Sequence, residues 1–166
     1  MKYNTFVIAG LFILVCLAMP ASAFTIKTLD VTIGQDGDAT IDAQYDLNFI
    51  EKSTVFLKFA DPATELQSAF NSGSATPVTV TSATSSSARI NVPSFASVTK
   101  TEGRSVMTTP SQSFKRAETV LKNYWFAPLI SPDLSPIVTT ITFPDGYREQ
   151  YYDQINIPSV SHTITV

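Results

Sequence analysis

Residues 29–47 read LDVTIGQDGDATIDAQYDL. Leu29, Val31 and Ile33 alternate with Asp30 and Thr32. After Gly34–Asp38 the alternation resumes, with Ala39, Ile41, Ala43, Tyr45 and Leu47 set against Thr40, Asp42, Gln44 and Asp46. Side chains of a strand point to opposite faces in turn. Period two on both sides of a glycine-containing turn therefore predicts a β-hairpin with one buried and one wet face.

The same signal recurs towards the C-terminus. Ile137 to Phe143 and Tyr147 to Asp153 alternate around Pro144-Asp145-Gly146, a turn triplet, and predict a second hairpin. The last residues, Ser161 to Val166, also alternate like a strand. Between Ser74 and Thr99 the composition shifts to Ser, Thr, Ala and Val, with Arg89 the only charge between Glu65 and Lys100. Thr76–Ser82 and Ala88–Pro93 keep strand phase there, joined by the polar loop Ala83–Ser87, and Val106-Met107 marks a further short strand.

Helical signals are fewer. Asp61-Pro62 looks like an N-cap with proline in the first turn, followed by Ala63, Leu66, Ala69 and Phe70 at helical spacing up to Gly73. Ser113 is placed to cap a helix lined by Phe114, Ala117, Val120 and Leu121. Residues 49–60 fit a helix or a strand, and the cap that follows favours the helix. Pro128, Pro132 and Pro136 forbid regular structure after Tyr124-Trp125-Phe126. The fold class expected is α+β, predominantly antiparallel β with hairpins at the N- and C-terminal ends and two or three short helices.

The beginning of the chain carries the features of a secretory leader. Lys2 supplies a positive end, an apolar run spans Phe6 to Met19, Pro20 breaks it, and Ala21-Ser22-Ala23 presents small residues for cleavage. The run is short for a membrane span, which takes about 20 residues. Residues 1–23 are thus expected to be a cleavable signal peptide and residues 24–166 a single β-rich globular domain, placed outside the cell or at its surface with no transmembrane anchor after cleavage. Cys16 is the only cysteine, so the mature domain is cysteine-free and owes nothing to disulfides. The formal charge of −3 becomes −4 once Lys2 leaves, which argues against nucleic acid as a partner.

Catalytic groupings are sparse. His162 is the sole histidine, no G-x-S-x-G elbow surrounds a serine, and zinc sites of the nitrogen and sulfur type are out. No catalytic residue and no cofactor is expected. Asp36 and Asp38, in a tight turn, are the candidate calcium ligands, with turn chemistry as the competing account; Asp30, Asp42 and Asp46 read as a solvated strand face. Trp125, Tyr151 and Tyr152 are the candidate contact residues. Tyr151 and Tyr152 are adjacent, so in a strand one of them must face outward. The uncharged Thr/Val strands between Ser74 and Val98 lack the charges that normally block edge-to-edge pairing, and are either internal to a sheet or an assembly edge.

Trp125-Phe126-Ala127-Pro128, Ser135-Pro136, Thr142–Tyr147 and Ile157-Pro158-Ser159 resemble segments of small secreted proteins of methanogenic archaea, a setting in which some proteins form cell-envelope layers and sheaths. That resemblance implies a non-enzymatic envelope protein, although the chain has no N-x-S/T sequon of a glycosylated surface layer. The function expected is a secreted structural protein of the cell envelope, of sheath or surface-layer type, that self-assembles laterally through β-strand edges, with itself as partner. The alternative is a monomeric binding module that recognises carbohydrate or another protein through exposed aromatics. The leader makes the first prediction: the intact mass of the exported protein corresponds to a chain beginning at Phe24, and an exported product that retains residues 1–23 contradicts it.

Overall fold

Strands β1 (Thr25–Ile33) and β2 (Ala39–Asp46) form the hairpin that the alternation predicts, with Val31 opposite Ile41 and Ile33 opposite Ala39. The computed structural model describes residues 25–46, 63, 64, 67, 78–115, 119 and 134–165. Within them follow β3 (Thr79–Ala83), β4 (Ser87–Val92), β5 (Ser97–Thr101), β6 (Arg104–Thr108), β7 (Gln112–Ser113), β8 (Val138–Thr142), β9 (Arg148–Tyr152), β10 (Asn156–Ile157) and β11 (Ser161–Thr165). Six strands make one sheet in the order β3-β4-β2-β1-β8-β9, and β11-β6-β5 make a second; β7 and β10 pair as a short ladder. Every pairing is antiparallel except that of β1 with β8, which is parallel and sets Val31 beside Ile141.

The two larger sheets share one core. Val31, Ile33, Ala39, Ile141 and Phe143 from the large sheet meet Ala96, Met107 and Val160 from the region of the small one, with Ile157 of β10 between them. Val31 and Ile141 have no exposed surface. Burying an aliphatic or aromatic side chain of this size contributes about 1.5–3 kcal/mol, so this cluster is the main source of cohesion between the sheets. The opposite face of β1 and β2 carries Asp30, Thr32, Thr40 and Asp42 towards solvent, as the alternation requires.

The chain passes from the large sheet to the small one at Pro93–Ala96. The turn of the first hairpin holds that corner. Ala96 N–H donates to the Gly37 carbonyl at 2.8 Å, and Ser94 N–H donates to Asp38 Oδ1 at 2.7 Å. Ser94 has a φ of 50°, a left-handed conformation that the Asp38 bond helps to hold. Beyond the corner, Thr109 is buried and fully occupied: its hydroxyl accepts from Val160 N–H at 3.0 Å, its own N–H donates to the Val160 carbonyl at 2.9 Å, and Ser159 Oγ donates to its carbonyl.

The expected helices are seen only in part. Among the described residues, helical geometry is confined to Ala63, Thr64, Gln67, Phe114, Lys115 and Thr119, and no helix is long and apolar enough to cross a membrane. The described residues are β-rich, with antiparallel sheets and almost no helix. The strand content exceeds the expectation at one place: the β-branched residues between 97 and 108 build the β5–β6 hairpin where the alternation marks only Val106-Met107. The leader 1–23, residues 49–60, Leu66, Ala69, Phe70, Ala117, Val120, Leu121 and the aromatics Tyr124-Trp125-Phe126 lie outside the described residues.

Gly37 is the position where the corner tolerates no side chain. Its φ is +91°, and a Cβ there would run into the Ala96 carbonyl oxygen and lie 2.8 Å from Val98 Cγ2. Gly146 also has a positive φ, +89°, but a Cβ there meets nothing within 4 Å. Gly37→Ala is therefore expected to destabilise the fold by about 3 kcal/mol, the sum of an unfavourable backbone region and overpacking. Gly146→Ala carries only the backbone part, about 1 kcal/mol. Urea unfolding of the two variants checks this; equal losses would contradict the close approach at Gly37.

Candidate functional site

The second hairpin places the exposed tyrosines on an edge strand. Among the described residues β9 pairs with β8 on one side only and ends the six-stranded sheet. Phe143 N–H bonds to the Tyr147 carbonyl and Asp153 N–H to the Ile137 carbonyl, so residues 147, 149, 151 and 153 turn their backbone groups towards β8. Antiparallel geometry then directs the N–H and C=O groups of Arg148, Gln150 and Tyr152 away from the sheet. Their side chains are exposed on the outer face, Tyr152 with 61% of its surface accessible.

Both faces of β9 carry a ladder of side-chain hydrogen bonds between residues two apart. On the inner face Tyr147 OH donates to Glu149 Oε1 at 2.9 Å and Tyr151 OH to Glu149 Oε2 at 2.5 Å. On the outer face Tyr152 OH donates to Gln150 Oε1 at 3.0 Å, and Gln150 Nε2 donates to Thr140 Oγ1 at 3.4 Å. Desolvation, with the Glu149 hydrogen bond second, pushes the Tyr151 phenol up to about 12. Tyr147 is also raised, chiefly by its bond to Glu149. These rings are ordered before anything binds them, which lowers the entropy lost on contact.

The turn before β9 connects to the small sheet. His162 of β11 holds Asp145 Oδ2 at 2.7 Å through Nε2, and its ring stacks on Tyr147 with centroids 4.1 Å apart and planes within 6°. The Phe143 ring lies tilted against the same imidazole, with centroids 5.1 Å apart. The His162 hydrogen bond, followed by the Tyr147 backbone N–H, holds the Asp145 carboxyl below its ordinary value. An ionised carboxylate can only accept, so Nε2 carries the proton. Pro144 and Asp145 of the same turn also line a cleft of about 530 Å³, together with Lys100, Arg104, Ser105 and Met107.

The other edge of the large sheet is treated differently. β3 bears a bulge between Val80 and Ser82. The Gln67 side chain sits on its outward groups, with Nε2 donating to the Val78 carbonyl at 2.5 Å and Oε1 accepting from Val80 N–H at 2.6 Å. A side-chain amide thus takes the place of a neighbouring strand. β4 is internal, between β3 and β2. The stretch 74–98, read as internal to a sheet or as an assembly edge, holds among its described residues the internal β4, the bulged edge β3 on which Gln67 sits, and the start of β5.

Of the other candidate residues, Asp36 Oδ1 accepts Asp38 N–H at 3.1 Å, and Asp38 Oδ1 serves the corner at Ser94. Both carboxylates act in turn and corner geometry, and no group of three or more His, Cys, Asp or Glu side chains suited to a metal occurs among the described residues. Asp42 pairs with Arg89 at 2.6 Å and Asp46 with Lys27 at 2.7 Å, both on the wet face, where such pairs add little to stability. Tyr152 is the outward member of the tyrosine pair and Tyr151 the inward one. Trp125 lies outside the described residues. The Asp145–His162 link, which joins residues on different sheets, and the role of Glu149 carry no signal in the sequence. No family model matches the chain, no curated protein matches it, and no solved structure matches it.

The lowered Asp145 carboxyl sets a pH dependence. A depressed carboxyl contributes stability above its unfolded value of 3.8 and loses that contribution as pH falls through the folded value. In urea unfolding the difference between the natural chain and Asp145→Asn is therefore expected to be full near pH 5 and to close as pH falls towards 2. A gap independent of pH over that range contradicts the His162–Asp145 bond.

Proposed function

We propose that this chain is an exported structural protein of the cell envelope, of sheath or surface-layer type, which works by lateral contact between copies along the β9 edge and performs no catalysis. The leader-like start and the resemblance to envelope proteins of methanogenic archaea support the location. The single observation that carries the contact is the contrast between the two edges of the large sheet. β3 is bulged and bonded by Gln67, whereas β9 is unbulged and points the backbone groups of Arg148, Gln150 and Tyr152 outward. Natural sheet proteins block an edge with bulges, prolines, charges or covering side chains. β9 carries two charges, Arg148 and Glu149, but no bulge, proline or covering side chain among the described residues, and an edge of that kind with hydrogen-bonded tyrosines fits a protein whose task is association.

His162 supports the non-catalytic reading, since its Nε2 is engaged by Asp145 and its ring is covered by Tyr147 and Phe143. Among the described residues the exposed large apolar side chains are Ile137, Tyr147, Tyr152 and Ile155, which lie in β9, in the β8–β9 turn or beside the hairpin and add apolar area near the open edge.

Gln150→Pro tests this directly. Proline removes an N–H that points away from β8, a position at which edge strands accept it. Light scattering across concentration is expected to show growth in mass for the natural chain and none for the variant, with unchanged far-ultraviolet circular dichroism. A natural chain that stays monomeric at every concentration overturns the proposal and leaves the monomeric binding module in its place.

A further inference from the structure

We infer that β9 pairs antiparallel with β9 of a second copy about a two-fold axis through Gln150, so that the two six-stranded sheets join into one continuous sheet; this register rests on the lateral-contact reading above. The outward backbone groups alone restrict the choice. Only residues 148, 150 and 152 present N–H and C=O groups to a newcomer, so bonded pairs across the interface must join even-numbered residues to even-numbered residues.

Charge then selects among the registers that remain. The strand reads Arg148-Glu149-Gln150-Tyr151-Tyr152. With Gln150 opposite Gln150 of the second copy, Arg148 faces Tyr152 and Glu149 faces Tyr151 on both sides of the axis. Tyr147 faces Asp153 in the same alignment. Every pair is neutral or complementary: the guanidinium lies against a tyrosine ring, a favourable cation–π geometry, and the carboxylate lies against a phenol. Sliding by one step in one direction sets Glu149 against Glu149, and a further step sets Arg148 against Arg148. Sliding the other way sets Glu149 against Asp153. Like charges directly opposite are destabilising in a sheet, so each neighbouring register meets a repulsion that the Gln150-centred one avoids.

The side chains are already arranged for this partner. Tyr152 leans along its own strand to Gln150, and Tyr147 and Tyr151 both bind Glu149, so neither face of β9 must reorder before pairing. In the centred register three residue pairs, 148 with 152, 150 with 150 and 152 with 148, each exchange two backbone hydrogen bonds. The contact is isologous and closes on itself, so it yields dimers; a larger array repeats that dimer through a second surface.

Single cysteines read the register, because Cys16 is the only natural cysteine. In the full chain carrying Cys16→Ser, Gln150→Cys, Arg148→Cys and Tyr152→Cys are each placed at an exposed position. Bonded antiparallel pairs have Cα atoms about 5.5 Å apart, within disulfide range. Under mild oxidation Gln150→Cys is expected to give a covalent dimer by itself. Arg148→Cys and Tyr152→Cys are each expected to stay unlinked alone and to link when mixed. Linking of Arg148→Cys with Gln150→Cys, of Gln150→Cys with Tyr152→Cys, or of Arg148→Cys or Tyr152→Cys with itself overturns the two-fold register. Growth in mass by light scattering with no link at any of the three overturns it too, while leaving lateral contact through another edge in place. A monomer that never links overturns both.

Discussion

The close approach of Gly37 to Ala96 is the constraint on which the rest of this molecule depends. The chain passes from the larger sheet to the three-stranded one at a covalent corner, Pro93–Ala96, where β4 gives way to β5. A turn that belongs to the first hairpin reaches that corner, accepts Ala96 N–H, and leaves no space for a side chain at Gly37. Asp38 adds a second bond to Ser94, which sits in a left-handed conformation. The residues of the turn thus fix the angle at which the small sheet meets the large one. Once that angle is set, Met107 and Val160 lie over Val31, Ile33, Ile141 and Phe143, and the core closes.

A second link between the sheets, at the other end of the chain, bears on function. β1 takes β8 as a parallel neighbour, which carries the second hairpin to the far side of the first and leaves β9 at the edge. β11 returns to the small sheet and brings His162 to Asp145 and Tyr147. The turn before β9 is therefore anchored from both sheets, and the strand that follows is unbulged and internally laddered. Association at a rigid edge costs less conformational entropy than association at a loop. The opposite edge, β3, shows what a guarded strand looks like in the same sheet: a bulge, and an amide laid across its free groups.

Both terminal hairpins are legible in the sequence because their alternation is strict and their turns contain glycine. The division of Tyr151 and Tyr152 between two faces follows from adjacency alone. The β5–β6 hairpin is harder to read, since its residues mix charge with β-branched side chains and its turn, Glu102-Gly103, lies between two short strands. The parallel pairing of β1 with β8 leaves no local signal, because it depends on which exposed strand the second hairpin meets after a long intervening segment. Asp38 illustrates the same gap. Its place in a tight acidic turn admits turn chemistry or a cation, and nothing local reveals that its carboxylate accepts from the backbone N–H of Ser94, 56 positions away. Composition alone leaves the uncharged stretch 74–98 either internal to a sheet or an assembly edge. In the large sheet β4 is internal and β3 is bulged and bonded by Gln67, whereas the unbulged edge is the charged and aromatic β9.

Amide hydrogen exchange, resolved by residue and followed across protein concentration, tests the central claim most directly. The N–H groups of Glu149 and Tyr151 face β8 and are protected at every concentration. Those of Arg148, Gln150 and Tyr152 face outward, so they exchange quickly in dilute solution and slow down together as concentration rises and a second strand covers them. If these three exchange at the same fast rate at every concentration, β9 is not the contact edge and lateral assembly through it is contradicted.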